Sequence, residues 1–240
     1  MIALIVGVAL VFILAACSDD PGGDDLPSAQ VSQPPTSEES AGSVGVYTNG
    51  TSLVIKGGTL VYQAPDSGVL ADAVLYSGSD KEIEFYVNHS SGVSATLSAS
   101  GYLEVVTIPV PPNSYLEPAS SFFDGDGVPA GSLKTGADVL IGELKARECG
   151  LGDFFLSICA TNTVFEDGWP SIGEEYIYYY SKGDVTLQVP RTQIEPGFYG
   201  AINVQLKAGW NCVAWTWDGT TETLVSKNPP STVRWAIMEK

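Results

Sequence analysis

The sequence predicts an all-β protein, an antiparallel β-sandwich carried behind an N-terminal signal and a tether. Three observations predict it. Short apolar or alternating segments recur through residues 46–240, bounded by Gly, Asn, Asp, Ser and Pro. No stretch keeps a helical period for three turns. Gly (26) and Pro (15) are frequent among the 240 residues, as many tight turns require.

The chain opens with sixteen residues, MIALIVGVALVFILAA, that carry no charged side chain. Such a run is shorter than the roughly 20 residues needed to span a bilayer. It fits the apolar region of a signal peptide at 1–16. The run ends Leu14-Ala15-Ala16-Cys17, which resembles the lipobox of bacterial lipoproteins. In that family the signal is cut before the Cys, whose thiol and new amino terminus are acylated. The resemblance implies lipidation at Cys17 and a membrane partner reached through the lipid. Each buried methylene would add about 0.8 kcal/mol of anchoring. The family carries Lys or Arg before the apolar run, and this chain does not. Ser18, rather than Asp, follows the Cys. By the same resemblance this favours the outer membrane or cell surface within the cell envelope.

Residues 17–45 hold Asp19, Asp20, Asp24, Asp25, Glu38 and Glu39 and no basic residue. Branched apolar side chains are nearly absent, so burial cannot offset ordering entropy. The segment is expected to be a disordered acidic tether.

Strands are expected at 53–55, 59–63, 73–76, 83–87, 93–99 and 103–110. Further ones are expected at 139–144, 154–159, 175–180, 185–189, 201–206, 212–217, 223–225 and 233–238. A short helix is expected at 117–123. Asn49-Gly50 and Lys56-Gly57-Gly58 suggest tight hairpins, and Asp218-Gly219 suggests another. Residues 111–137 are rich in Pro, Gly and Ser, a natural sub-boundary. Two stacked β modules, at 46–110 and 138–240, are the alternative to a single sandwich.

Two segments carry weaker likenesses. Ser98 to Val105, followed by Ile108-Pro109-Val110-Pro111, is similar to transthyretin-like or carboxypeptidase-regulatory-like sandwich modules. Val204 to Asn211, with Gly209-Trp210-Asn211 at its end, resembles a hairpin of uncharacterised bacterial secreted lipoproteins. These likenesses imply fold and location, and no activity.

The formal charge of −17 excludes a general nucleic-acid binder, which needs Lys and Arg for phosphates. One His, His89, sits in a polar turn, a poor place for a Cys–His nucleophile. Beyond Cys17, the thiols are Cys149, Cys159 and Cys212. Export makes a disulfide plausible. Cys149 with Cys159 is the preferred pair, spanning a Gly-rich turn, with either of them to Cys212 as alternatives. Asp124-Gly125-Asp126-Gly127 is a weak calcium candidate, because Pro129 and Thr135 stand where a calcium loop needs Gly and Glu. No other metal and no cofactor is expected. Glu82/Glu84 and Glu174/Glu175 could serve a hydrolase, but nothing beside them in sequence would raise a pKa.

Aromatic residues are the remaining signal. Tyr176, Tyr178 and Tyr180 share one face of a strand. With Trp169 they are the candidate platform for a cell-wall glycan or an envelope protein. Trp215, Trp217 and Trp235 are assigned to the core. The expected function is a lipid-anchored, non-catalytic envelope module, structural or interacting. Glycan or peptidoglycan binding is the alternative, and a paired-carboxylate hydrolase the third reading.

Overall fold

A computed structural model describes residues 46–49, 52–88, 92–124, 131–149 and 154–239. Residues 1–45, with the signal, Cys17 and the acidic segment, lie outside the described residues, as do His89 and Asp126.

The described chain is all-β. Alternation sets each strand's inner face. In β5 (Lys81–Val87) Ile83, Phe85 and Val87 are buried while Glu82 is exposed. β6 (Val93–Leu97) buries Ala95 and Leu97 in the same way. The same face continues through β3 (Thr59–Gln63), β7 (Tyr102–Leu103), β11 (Leu140–Glu148), β12 (Phe154–Ala160) and β19 (Val233–Glu239).

The main sheet closes on itself. Its ring runs β14–β12–β19–β3–β7–β6–β5–β11 and returns to β14 (Trp169–Ser181). β14 makes the seam, because its thirteen residues are long enough to serve two neighbours along one edge. Tyr176 pairs with Ile158 of β12, and Tyr180 pairs with Gly142 of β11. Trp235 stands in the ring's core, its indole edge-on to Phe85 with centroids 6.4 Å apart.

The other edge of β14 opens into a wing: β17 (Gly209–Trp217), β18 (Thr221–Ser226), β16 (Phe198–Leu206), β15 (Val185–Glu195) and β10 (Leu133–Thr135). A separate three-stranded sheet, β1 (Val46–Asn49), β2 (Ser52–Ile55) and β8 (Val106–Ile108), lies over the same core. It contributes Val46, Leu53, Ile55, Val106 and Ile108 to the cluster around Trp235. Burying each such branched side chain is worth roughly 1.5–3 kcal/mol. On the wing's opposite face, α1 (Ala119–Asp124) packs Ala119 and Phe123 against Val185, Leu187, Val204 and Leu206. β9 (Glu117–Pro118) pairs with β11, and β4 (Gly68–Val69) with β13 (Val164–Glu166).

Several expectations are corrected. The sheet is a closed ring with a wing, not a two-sheet sandwich, and it is mixed: β19 runs parallel to β3 and β16 parallel to β18. Strands from both sides of residues 111–137 pair within it, β11 with β5 and β19 with β3. Two stacked modules would need separate sheets. Residues 73–76 make only one bridge, Tyr62 to Leu75, and a 3-10 turn at Leu70–Asp72 precedes them. Asn49 pairs with Ser52 as a hairpin requires. Lys56-Gly57-Gly58 instead carries the chain from β2 to β3, which lie in different sheets. The Gly209-Trp210-Asn211 segment joins β16 to β17, which are not neighbours, because β18 lies between them.

Candidate binding surface

β14 has two faces, and the tyrosines take the inner one. Tyr176, Tyr178 and Tyr180 are 3%, 9% and 7% exposed. The small sheet β1–β2–β8 shares their core, so the expected Tyr platform is buried. Tyr180 packs edge-on to Trp210, and Lys227 lies 5.8 Å from the Tyr176 ring centroid. Burial first, and the Glu174 carboxylate next, push the Tyr176 hydroxyl above the usual phenol range. Trp169 is half-buried against the cluster of Ala64, Leu70, Cys159 and Phe165.

The outer face of the same strands carries a set of half-buried aromatics. α1 and its neighbours cover Val204, Leu206 and Val213. The cover thins at Ile177, Ile202 and Leu224, which are partly buried. Two residues further along each strand stand Glu175, Glu222 and, beyond Gly200, Phe198. Register sets Glu175 opposite Trp215, and Glu222 opposite Trp217. Trp217 stacks on Phe198 at 5.9 Å and 17°. The indole N–H of Trp215 donates to Glu222. Trp215, Trp217 and Phe198 are all half-buried. Two aromatic planes and a carboxylate thus share one sheet face. Trp235 is core as expected, but Trp215 and Trp217 are not.

Local geometry holds the strand end beneath this surface. Gly173 pairs with Trp217 at φ +147°. A Cβ there would meet Thr163 Oγ1 at 2.5 Å and its Cα at 2.6 Å. Thr163, fully buried, accepts from the Glu174 N–H at 3.3 Å and donates to its carbonyl at 3.2 Å. The β17–β18 turn follows the Asp-Gly expectation: Asp218 accepts from the Thr220 and Thr221 N–H groups at 2.8 and 2.6 Å. Those bonds hold its carboxyl below the usual range. Asn211 braces the turn before β17. Its carboxamide accepts from Lys207 N–H at 2.8 Å and donates to the Lys207 and Gly209 carbonyls, with Gly209 at φ +102°.

Of the carboxylate pairs read from sequence, Glu174 and Glu175 take opposite faces of β14, while Glu82 and Glu84 share a face of β5. Glu84 binds Arg147 at 2.9 Å and accepts from Gly92 N–H. Glu174 pairs with Lys227. Glu175 is different from its sequence reading: burial pushes its carboxyl up, against a hydrogen bond with Ser157 that lowers it. Glu222 is raised by burial too, opposed by its bond to Trp215. Sequence gave no sign of either, because the raising groups lie on neighbouring strands.

Cys149, Cys159 and Cys212 are free thiols. β11 and β12 pair at Arg147 and Phe155, then splay around β14. Cys149 and Cys159 lie six positions out of register, roughly 20 Å along the strands, far beyond disulfide reach. Cys159 belongs to the cluster outside the ring and Cys212 to the one inside. Burial raises both thiols, Cys212 to about 12. Asp124 ends α1; its partner in the calcium expectation lies outside the described residues. Among the described residues no group of three His, Cys, Asp or Glu is placed to hold a metal, and no helix is long and apolar enough to cross a membrane.

Comparison of the chain with protein-family models, curated proteins and solved structures finds no match in any of the three.

Proposed function

We propose that the chain is a lipid-anchored, non-catalytic interaction module of the bacterial cell envelope. On this reading residues 1–16 are removed as a signal peptide and Cys17 carries the lipid. The acidic segment 17–45 then holds the body, from Val46 onward, off the outer face of the membrane. Repulsion between its carboxylates and anionic headgroups favours that separation. The Leu14-Ala15-Ala16-Cys17 motif supports the anchor.

One observation carries the interaction role: the row of Trp215, Trp217 and stacked Phe198 on the thinly covered outer face. Half-exposed aromatic rings grouped on a rigid sheet are the surface feature most often used for contact. A glycan or peptidoglycan strand is the partner favoured by their chemistry, since flat rings take sugar CH faces and Glu222 accepts hydroxyl hydrogens. Binding is preferred to hydrolysis because each raised carboxyl already has a bonded partner, Ser157 for Glu175 and Trp215 for Glu222.

The test has two arms. Full chain expressed in a bacterium with an alkyne fatty acid should label, and Cys17→Ala should not. Labelling that survives Cys17→Ala sinks the anchor. Detergent-solubilised full chain should sediment with purified peptidoglycan sacculi, and Trp217→Ala should not. Equal sedimentation of the two sinks the platform.

A further inference from the structure

The wing's inner face holds a separate feature. Between it and the small sheet lies an open cleft of about 390 Å³. That volume is at the small end of ligand pockets, roughly 300–1,000 Å³. Val46 and Leu53 of the small sheet form one wall; Tyr178 and Trp210 of the wing form the other. The indole N–H of Trp210 is buried with no acceptor among the described residues, an unspent donor that costs roughly 1–3 kcal/mol. The mouth is polar. Thr48, Gln205 and Asn228 line it, and among the described residues none of their side chains has a hydrogen-bond partner.

The cleft is also neutral. Among the described residues Lys227 is the one charged residue lining it, and the Glu174 carboxylate pairs with its ammonium. Cys212, another lining residue, keeps its proton, since burial raises its thiol to about 12. The wing face that continues from Gln205 is uncharged over three cross-strand pairs, between the Lys207–Asp184 ion pair and the Arg191 guanidinium over the Tyr199 ring. Thr186 pairs with Gln205, Gln188 with Asn203, and Thr223 with Ala201. A neutral strip of hydroxyls and carboxamides thus leads into an aromatic-walled cleft.

We infer that this cleft binds one ring of a neutral saccharide, with the chain of the glycan running out over the Thr/Asn/Gln strip. A pyranose offers apolar CH faces to Tyr178 and Trp210 and a girdle of hydroxyls to Thr48, Gln205 and Asn228. Carboxamides both donate and accept, as a hydroxyl girdle requires. An anion meets no uncompensated positive charge there, and a purely apolar ligand leaves the mouth's carboxamides unused. The site lies on the face opposite Trp217, so it stands independently of the outer platform.

The experiment is calorimetric titration of detergent-solubilised full chain with N-acetylglucosamine trimer, maltotriose and glucuronate. Saturable binding of at least one neutral trimer is expected, insensitive to added salt. The Gln205→Ala/Asn228→Ala variant changes two exposed residues whose side chains make no hydrogen bond among the described residues, and it keeps the backbone bonds of Gln205. It should weaken binding about tenfold, the worth of two neutral hydrogen bonds. Trp217→Ala should leave this affinity unchanged. No binding of either neutral trimer overturns the inference, as does unchanged affinity in the double variant or tighter binding of glucuronate. Loss of affinity in Trp217→Ala alone would move the saccharide to the outer platform.

Discussion

Truncating Trp217 and Trp235 in parallel separates a contact surface from a core. Trp235 is 3% exposed and meets Phe85 edge-on. Trp235→Ala removes a filled volume at the ring's centre and should cost about 4 kcal/mol. Trp217 is half-buried, with one broad contact, the stacked Phe198 ring. Losing that stack costs about 1 kcal/mol, and the half of the indole that is buried adds roughly another 1 kcal/mol. A chain of this size loses about 2–4 °C of Tm per kcal/mol. Trp217→Ala should therefore melt roughly 4–8 °C below the parent and Trp235→Ala about twice as far below. Scanning calorimetry of the full chain in detergent reads both, beside sedimentation with sacculi. Equal destabilisation by the two substitutions would refute the reasoning, because it would make Trp217 a core residue. Full sacculus binding by a folded Trp217→Ala would refute its use as a platform.

Glu175→Gln should stabilise the protein near pH 7 and not near pH 4. Burial raises the folded carboxyl above its ordinary range. As pH rises through the unfolded value, the unfolded chain ionises first and gains; Gln removes that penalty. An equal Tm gain at both pH values would show that burial of the charge is not the cause. Maleimide labelling should modify Cys149 alone in the native chain, and Cys149, Cys159 and Cys212 after denaturation without reductant. Fewer than three modified thiols would reveal a disulfide. Gly173→Ala should cost on the order of 2–5 kcal/mol, through left-handed strain and overlap with Thr163. A normal melting curve would disprove the clash.

Alternation located the strands well. It placed Ile83, Phe85 and Val87 on one face, and it set Tyr176, Tyr178 and Tyr180 together. What alternation cannot state is which face of a two-sided strand is roofed. The roof here is β1, β2 and β8, strands of four, four and three residues, whose pairing spans more than fifty residues of chain. Without it, the inner tyrosines and the outer tryptophans are interchangeable, and nothing in the alternation marks the tyrosines as the buried set. The Cys149–Cys159 expectation failed for a related reason. A pair spanning a turn was expected to meet, whereas the Arg147–Phe155 pairing sets the two cysteines six positions out of register. The raised carboxyls of Glu175 and Glu222 were invisible because the burial that raises them is supplied by neighbouring strands, not by residues beside them in the chain. The Asp218-Gly219 turn was legible because every group that makes it lies within four residues.

The parallel pairing of β19 with β3 fixes when the molecule can be finished. Trp235 bonds beside Val61, a contact that no segment can make until β19 itself is available. A chain that emerges from its N-terminus must hold β3 and β12 as open edges until then. Unpaired edges invite the wrong partner, and late closure of distant contacts is slow. A nascent chain that has not yet delivered Val233–Glu239 would therefore stay open and sticky. Arrival of this one strand closes the ring.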